Sequence, residues 1–104
     1  MPQKYRVIVQ AEAFDDLERI LDYIKQDSPQ NAVRTFDRLW YACNSLAILP
    51  RRHKVHQHRT DPALSVHSMP LPPFIIYYRV DDKTRVVRVL TVRHGAQRQP
   101  RRFK

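Results

Sequence analysis

Two helical stripes of apolar residues, separated by a short break, constrain the fold of this 104-residue chain more than any other feature. The first stripe predicts a helix from about residue 12 to 26. The second predicts a helix that begins at Pro29, where Ser28 supplies an N-cap hydroxyl, and that runs to about Leu49 before Pro50 ends it. Because so few residues separate the two helices, they are expected to pack antiparallel.

Strand patterns stand on both sides of this helical hairpin. Residues 4–10 alternate and are rich in β-branched side chains, which predicts a first strand. After the helices, residues 51–59 are polar and basic and fit either a loop or a frayed edge strand. Residues 74–80 and 86–92 are two strong strand patterns joined by five residues, which predicts a β-hairpin.

A weaker pattern lies between these segments. Leu64–Met69 predicts a short strand, and Pro70, Pro72 and Pro73 are then expected to prevent regular pairing. The predicted fold is therefore α+β, in the order β-α-α-β-β-β, with an antiparallel helical hairpin packed on a small, mainly antiparallel sheet. The length fits a single domain over 1–104, ending in a basic tail at about 96–104.

The charge of the chain is unevenly distributed. Residues 1–50 contain six Lys/Arg against seven Asp/Glu, a net charge of −1, whereas residues 51–104 contain thirteen against three, a net charge of +10. All five histidines also lie in the second half. A cationic surface of this kind attracts polyanions, which include DNA, RNA and acidic protein segments.

Several classes of protein are excluded by what the sequence lacks. No apolar run reaches the roughly 20 residues of a membrane span, and the first residues do not resemble a signal peptide, so a cytoplasmic protein is expected. Cys43 has no second cysteine with which to form a disulfide or hold zinc, and the histidines have no metal-ligand spacing. We therefore expect no metal and no cofactor. Gly95 is the only glycine, which indicates a positive φ or a close backbone approach there.

The order of these elements, together with four stretches of sequence, resembles the RelE/ParE toxin superfamily, and its ParE branch in particular. The stretches are the opening strand with Ala13 to Ile24, Pro29 to Pro50, Ile76 to Val80, and Val89 to Gly95 followed by Arg98. The resemblance implies a bacterial toxin that a co-expressed acidic antitoxin neutralises in a hetero-oligomer. It also implies one of two targets, because some members inhibit DNA gyrase and others cleave messenger RNA on the ribosome.

The residues that RelE-like ribonucleases use are mostly missing from this chain. A gapless alignment anchored on residues 78–80 places those catalytic positions at Val66, Ser68, Ile75, Gly95 and Arg101. Only Arg101 is cationic, whereas metal-free RNA cleavage needs several cations together with a base and an acid. The resemblance therefore favours a toxin of the ParE kind, which inhibits its target without chemistry.

Three functions stay open from the sequence. The first is a ParE-like toxin whose target is gyrase, with target or antitoxin contacts at Arg88, Arg98, Arg101, Arg102 and Tyr77. The second is an endoribonuclease in which His94 is catalytic and Arg79 or Arg93 holds the phosphate. The third is a non-toxic binding module. The alternative interpretation of His94 is a strand-end histidine that bonds the backbone beside Gly95. Tyr77 and Tyr78 are expected on opposite faces of their strand.

Overall fold

Five strands form one mixed sheet in the computed structural model, which describes residues 4–96 and 99–103. The strands are β1 (Arg6–Val9), β2 (Val55–Gln57), β3 (Val66–Leu71), β4 (Phe74–Asp81) and β5 (Val86–His94). They lie in the order β1-β5-β4-β3-β2, with β1 parallel to β5 and the other pairs antiparallel. The segment 51–59, which the sequence left open, contains β2 at one edge of the sheet.

The two helices pack together and cover one face of this sheet. They are α1 (Ala11–Lys25) and α2 (Pro29–Ser45). Ser28 caps α2 as predicted, because its Oγ accepts the N–H of Asn31 at 3.2 Å, and Pro29 occupies the first helical turn. The α+β prediction, a helical hairpin on a mainly antiparallel sheet, is confirmed. Neither helix of the described chain has the length and apolar character to cross a bilayer.

The end of α2 lies earlier than the sequence predicted, at Ser45 and not at Leu49. The carbonyl of Ala47 accepts the N–H of Tyr5 at 2.8 Å, so it bonds the segment that leads into β1 and not a further turn of α2. The Arg52 guanidinium donates to the carbonyls of Ser45, Ile48 and Leu49, and so satisfies groups that a longer helix would have bonded internally. Pro50 therefore begins a short 3-10 turn beyond the helix instead of ending the helix itself.

The expectation that Pro70 prevents pairing was wrong, because Pro70 lies inside β3 opposite Ile75 of β4. Successive N–H groups of a strand point to opposite sides. Ser68 donates its N–H away from β4, to the carbonyl of Lys54. Pro70 faces the same side, beyond the end of β2, so no ladder hydrogen bond requires an N–H there.

Apolar side chains pack on both faces of the sheet. The larger cluster lies under the helices and includes Leu17, Leu39 and Tyr78. A smaller cluster on the opposite face contains Val66, Tyr77 and Leu90. The prediction that Tyr77 and Tyr78 point to opposite faces is confirmed. Both rings are almost fully buried, with exposed fractions of 1% and 0%, so neither is an open surface residue.

Two histidines pack around the buried Tyr78 ring, and neither has an acidic partner in the part of the chain that the structure describes. The Nδ1 atom of His67 lies 3.0 Å from the carbonyl of His53, and both rings contact Tyr78. Among the described residues, neither Nε2 atom has a hydrogen-bond partner. Burial lowers the pKa of His53 from its ordinary value of 6.5, and the neighbouring Arg52 and His67 lower it further.

We expect this arrangement to make folding stability fall in mild acid. The unfolded chain takes up a proton at His53 as the pH drops through 6.5, whereas the folded chain resists that proton, so the folded state loses free energy relative to the unfolded state. Urea unfolding at pH 7.5, 6.0 and 5.0 measures this loss. In His53→Gln the decline should be shallower than in the wild type, whereas His58→Gln, at an exposed histidine, should leave it unchanged. An identical decline in all three proteins would contradict the assignment to His53.

Candidate functional site

A groove of about 760 Å³ separates the C-terminal half of α1 from the end of β5. Its apolar lining comes from both elements and from the turn before β4, and consists of Ile20, Tyr23, Ile24, Pro73, Phe74 and Val92. Two guanidinium groups, those of Arg19 and Arg93, also line it, together with the His94 imidazole and the single carboxylate of Asp16. The groove therefore combines an apolar floor with a positively charged rim, which suits an amphipathic partner of negative charge.

A buried carboxylate fixes the wall of this groove. Asp16 of α1 is 4% exposed, and its Oδ2 accepts the N–H of Val92 at 3.0 Å and the hydroxyl of Thr91. Its other oxygen pairs with Arg19. The last residue of β1 pairs with Val89, so β1 does not extend alongside Val92. Asp16 thus takes the place of a neighbouring strand and fixes α1 to this part of β5.

His94 has the geometry of a strand-end histidine. Its Nδ1 accepts the N–H of Ala96 at 3.0 Å, and its ring lies edge-on to Phe74 with centroids 5.7 Å apart. In the neutral ring the proton is therefore on Nε2. A general base needs an unprotonated nitrogen that faces the substrate. In the neutral His94 ring the unprotonated nitrogen is Nδ1, and it already accepts the backbone N–H of Ala96.

Arg93 lies next to His94 and is half-buried. Its Nη2 is 3.9 Å from Glu12 Oε1 on α1, which is the limit of an ion pair. Within the described residues its Nε is buried and has no hydrogen-bond partner. Burying an unpaired donor costs free energy, so a ligand oxygen at this position would be favoured.

The single glycine is explained by a close backbone approach. The N–H of Gly95 donates to the carbonyl of Pro73 at 2.7 Å, and a Cβ atom on Gly95 would lie 3.2 Å from that oxygen. Its φ is not positive, so of the two expected reasons for glycine only the close approach is found. The contact holds the end of β5 against the turn before β4 and so positions His94.

Arg79 lies far from His94, on the opposite face of the sheet. It pairs in register with Arg88, whereas His94 pairs with Phe74 at the other end of the same two strands. Arg88 and His94 are six positions apart along β5, a distance of about 20 Å. The Arg79 Nε donates to the carbonyl of Leu64, and burial, followed by Arg59, lowers the pKa of Arg79. The structure thus groups His94 with Arg93 and Arg19 but does not bring Arg79 to them.

The remaining candidate residues lie on the face opposite the helices or near the C-terminus. Arg88 is exposed on that face, and Arg101 and Arg102 are exposed near the end of the chain. Tyr77 is covered, with its hydroxyl bonded to Gln99. Arg98 lies outside the described residues. Among the positions aligned with ribonuclease residues, Val66 and Ile75 belong to the apolar cluster around Tyr77.

Sequence reasoning missed Asp16 and Arg19 as parts of the site. Both lie in a helical segment whose acidic residues suit the positive end of the helix dipole, so the distribution of charge alone does not distinguish Asp16 from Asp15. The helical period does offer one signal, because Asp16 lies next to Leu17 and three residues after the buried Ala13. A carboxylate at such a position is buried only when it has partners.

Comparison with known proteins agrees with this architecture. The chain matches the family model described as the ParE toxin of type II toxin-antitoxin system, parDE, over residues 7–99. It is 36% identical over 85 residues to Toxin RelE2 of Caulobacter vibrioides, an alignment that covers 82% of this chain and 89% of that protein.

Two solved structures share the fold. The chromosomal ParDE TA system from P. aeruginosa superimposes with a TM-score of 0.68 at 18% identity, covering 88% of this chain and 96% of that one. The archaeal RelE-RelB complex from Pyrococcus horikoshii OT3 gives a TM-score of 0.64 at 17% identity, covering 92% of this chain and all of that one. Together with the family match over residues 7–99, these similarities lead to one conclusion: the chain belongs to the ParE toxin family of type II toxin–antitoxin systems.

Proposed function

We propose that this toxin acts by binding and inhibiting a large cellular target, with DNA gyrase the first candidate, and that it performs no chemistry itself. The observation that carries the proposal concerns two of the three candidate catalytic residues, Arg79 and His94. Arg79 lies about 20 Å along the sheet from His94. The only nitrogen of the neutral His94 ring that could act as a base accepts a hydrogen bond from Ala96.

We further propose that the groove between α1 and β5 receives a cognate antitoxin. The RelE-RelB structure that shares the fold is a complex, which supports a protein partner of this kind. An acidic amphipathic segment matches the groove, because apolar side chains can cover Ile20 and Ile24 while carboxylates approach Arg19 and Arg93. The buried Nε of Arg93, which has no hydrogen-bond partner among residues 4–96 and 99–103, supplies a specific donor for one of those carboxylates.

Gyrase inhibition is tested directly with purified components. We expect DNA supercoiling by gyrase to stop at micromolar toxin, and equimolar antitoxin to restore it. Charge reversal at the exposed Arg88 should weaken inhibition if the open face contacts the target, whereas reversal of the exposed Arg34 on α2 serves as a charge-matched control. Full supercoiling activity at micromolar toxin would exclude gyrase as the target.

One observation favours a second candidate, an endoribonuclease that uses His94. Arg19, Arg93 and His94 line the same groove, so a phosphate could meet two guanidinium groups beside an imidazole. Primer extension on messenger RNA after brief expression decides between the two activities. Cleavage that disappears in His94→Ala would support this candidate, and the absence of cleavage in the wild type would exclude it. Growth without arrest when the antitoxin is absent would instead indicate the third possibility, a non-toxic binding module.

A further inference from the structure

The last described residues of the chain cover an apolar patch on the face of the sheet opposite the helices. The patch consists of Val66, Tyr77 and Leu90, with Ile75 at its side. Residues 99–103, here named the strap, contact it, and Tyr77 is only 1% exposed. Tyr77, which the sequence suggested as a partner contact, is therefore covered by the protein's own C-terminal segment.

Residues 99, 101 and 103 of the strap make contacts with the sheet. Tyr77 donates its hydroxyl to Gln99 Oε1 at 2.5 Å, and Gln57 Nε2 donates to the carbonyl of Arg101 at 2.6 Å. The Phe103 ring centroid lies 5.1 Å from that of Tyr77 and 6.0 Å from that of His56. The strap is thus held by two of its side chains, Gln99 and Phe103, and by the backbone carbonyl of Arg101, which are the kinds of contact that hold a bound peptide.

The charge of the strap does not match the surface that holds it. Arg101 and Arg102 are both cationic, and the face around the patch carries Arg59, Arg79 and Arg88. Arg59 donates to the same Gln57 side chain that bonds the strap. Like charges in this arrangement repel and weaken the contact.

The acidic residues of the second half bond groups that lie outside the strap. Asp61 accepts the N–H of Ala63, and Asp81 accepts those of Lys83 and Thr84. Asp82 bonds Tyr5 and Arg51. No Asp or Glu follows Asp82 in the sequence, so the strap itself carries no negative charge.

We propose that this face is a docking surface for an acidic protein segment with one aromatic residue, which binds by displacing the strap. The aromatic side chain takes the place of Phe103, and carboxylates replace Arg101 and Arg102 opposite the basic face. The strap competes only because its own chain tethers it, at an effective concentration in the millimolar range. Hydrogen bonds from side chains to a backbone carbonyl and an amide oxygen favour a peptide over a nucleic acid as the occupant.

The strap sequence with its charge reversed is the natural probe. A fluorescein-labelled peptide containing Gln-Pro-Glu-Glu-Phe is titrated with the full-length toxin and followed by fluorescence anisotropy. We expect binding at low salt that weakens as salt is raised. The peptide with the native Gln-Pro-Arg-Arg-Phe sequence, and a Gln-Pro-Glu-Glu-Ala version without the ring, should each bind at least about tenfold more weakly.

Two variants of the full chain test displacement itself. Phe103→Ala loosens the strap and should tighten binding of the acidic peptide by up to about tenfold, because a larger fraction of the protein is open. The double variant Arg101→Glu, Arg102→Glu makes the strap complementary to its surface and should weaken peptide binding by roughly the same factor. Tyr41→Ala, at an exposed aromatic residue of α2, is the control that should leave the affinity unchanged.

The opposite results would overturn the proposal. Equal affinity of the wild type and both strap variants would show that the peptide does not compete with the strap. Equal binding of the acidic and basic peptides would show that charge does not select the occupant. A single-stranded oligonucleotide that binds this face more tightly than the acidic peptide would identify a nucleic acid as the occupant instead. None of these measurements depends on gyrase inhibition or growth arrest, so their failure is separable from that of the proposed function.

Discussion

Replacing Asp16 by alanine should lower the free energy of unfolding by about 3 kcal/mol, the largest effect that we expect from a single side chain outside the aliphatic core. The substitution removes a charged acceptor from a site that is 4% exposed. It leaves the N–H of Val92 and the hydroxyl of Thr91 without their partner. For a chain of this size such a loss lowers Tm by roughly 15 °C.

Graded variants separate the contributions at this site. Asp16→Asn keeps an oxygen acceptor but loses the negative charge, so its loss of stability should be about half as large. Asp22→Ala removes an exposed carboxylate from the same helix and should change stability by less than about 0.5 kcal/mol. Urea unfolding followed by circular dichroism measures all three. If Asp16→Ala were no less stable than Asp22→Ala, the carboxylate would not be what anchors α1 to β5.

The parts of the fold that sequence predicts well are those in which local chemistry and packing agree. Ser28 and Pro29 mark the start of α2 because a cap hydroxyl and a fixed φ both belong at that position. The β4–β5 hairpin follows from two long β-branched and aromatic segments around a polar turn. In both cases residues that are close together in the sequence determine the local structure.

The errors occur where a distant segment decides the local structure. The end of α2 depends on a hydrogen bond from Tyr5 and on the Arg52 side chain. No sequence pattern within α2 predicts either contact. Pro70 fits inside a strand only because β2 ends before reaching it. Strand contacts of this kind depend on register, and a single sequence does not specify register between separated segments.

The same distinction applies to the candidate site, where the sequence predicts some residues and misses others. His94 and Gly95 stand out in the sequence, and the structure shows the backbone contacts that explain both. Burial of Tyr77 was not predicted, because the strap that covers it is a basic segment typical of a solvated tail. The contacts of residues 99, 101 and 103 become visible only when the strap lies against the sheet.

Antitoxin binding should be weakened at least about 100-fold by Ile24→Asp, since the new carboxylate enters the apolar floor of the groove. Ile24 is half-buried in the wall formed by α1, where the proposed partner lays its apolar face. A carboxylate there loses water when the partner binds and also repels an acidic segment. The affinity of the purified toxin for its cognate antitoxin, measured by calorimetry, tests the expectation.

The matched control is Val33→Asp, which introduces the same charge at a residue of α2 that is 62% exposed and does not line the groove. Its affinity for the antitoxin should stay within about twofold of the wild type, because an exposed aspartate keeps its water. Circular dichroism establishes that both variants are folded before binding is measured. Equal losses in the two variants would point to a general effect of charge on an acidic partner, and equal retention would place the antitoxin on another surface. Only a loss confined to Ile24→Asp identifies the groove between α1 and β5 as the surface that the antitoxin covers.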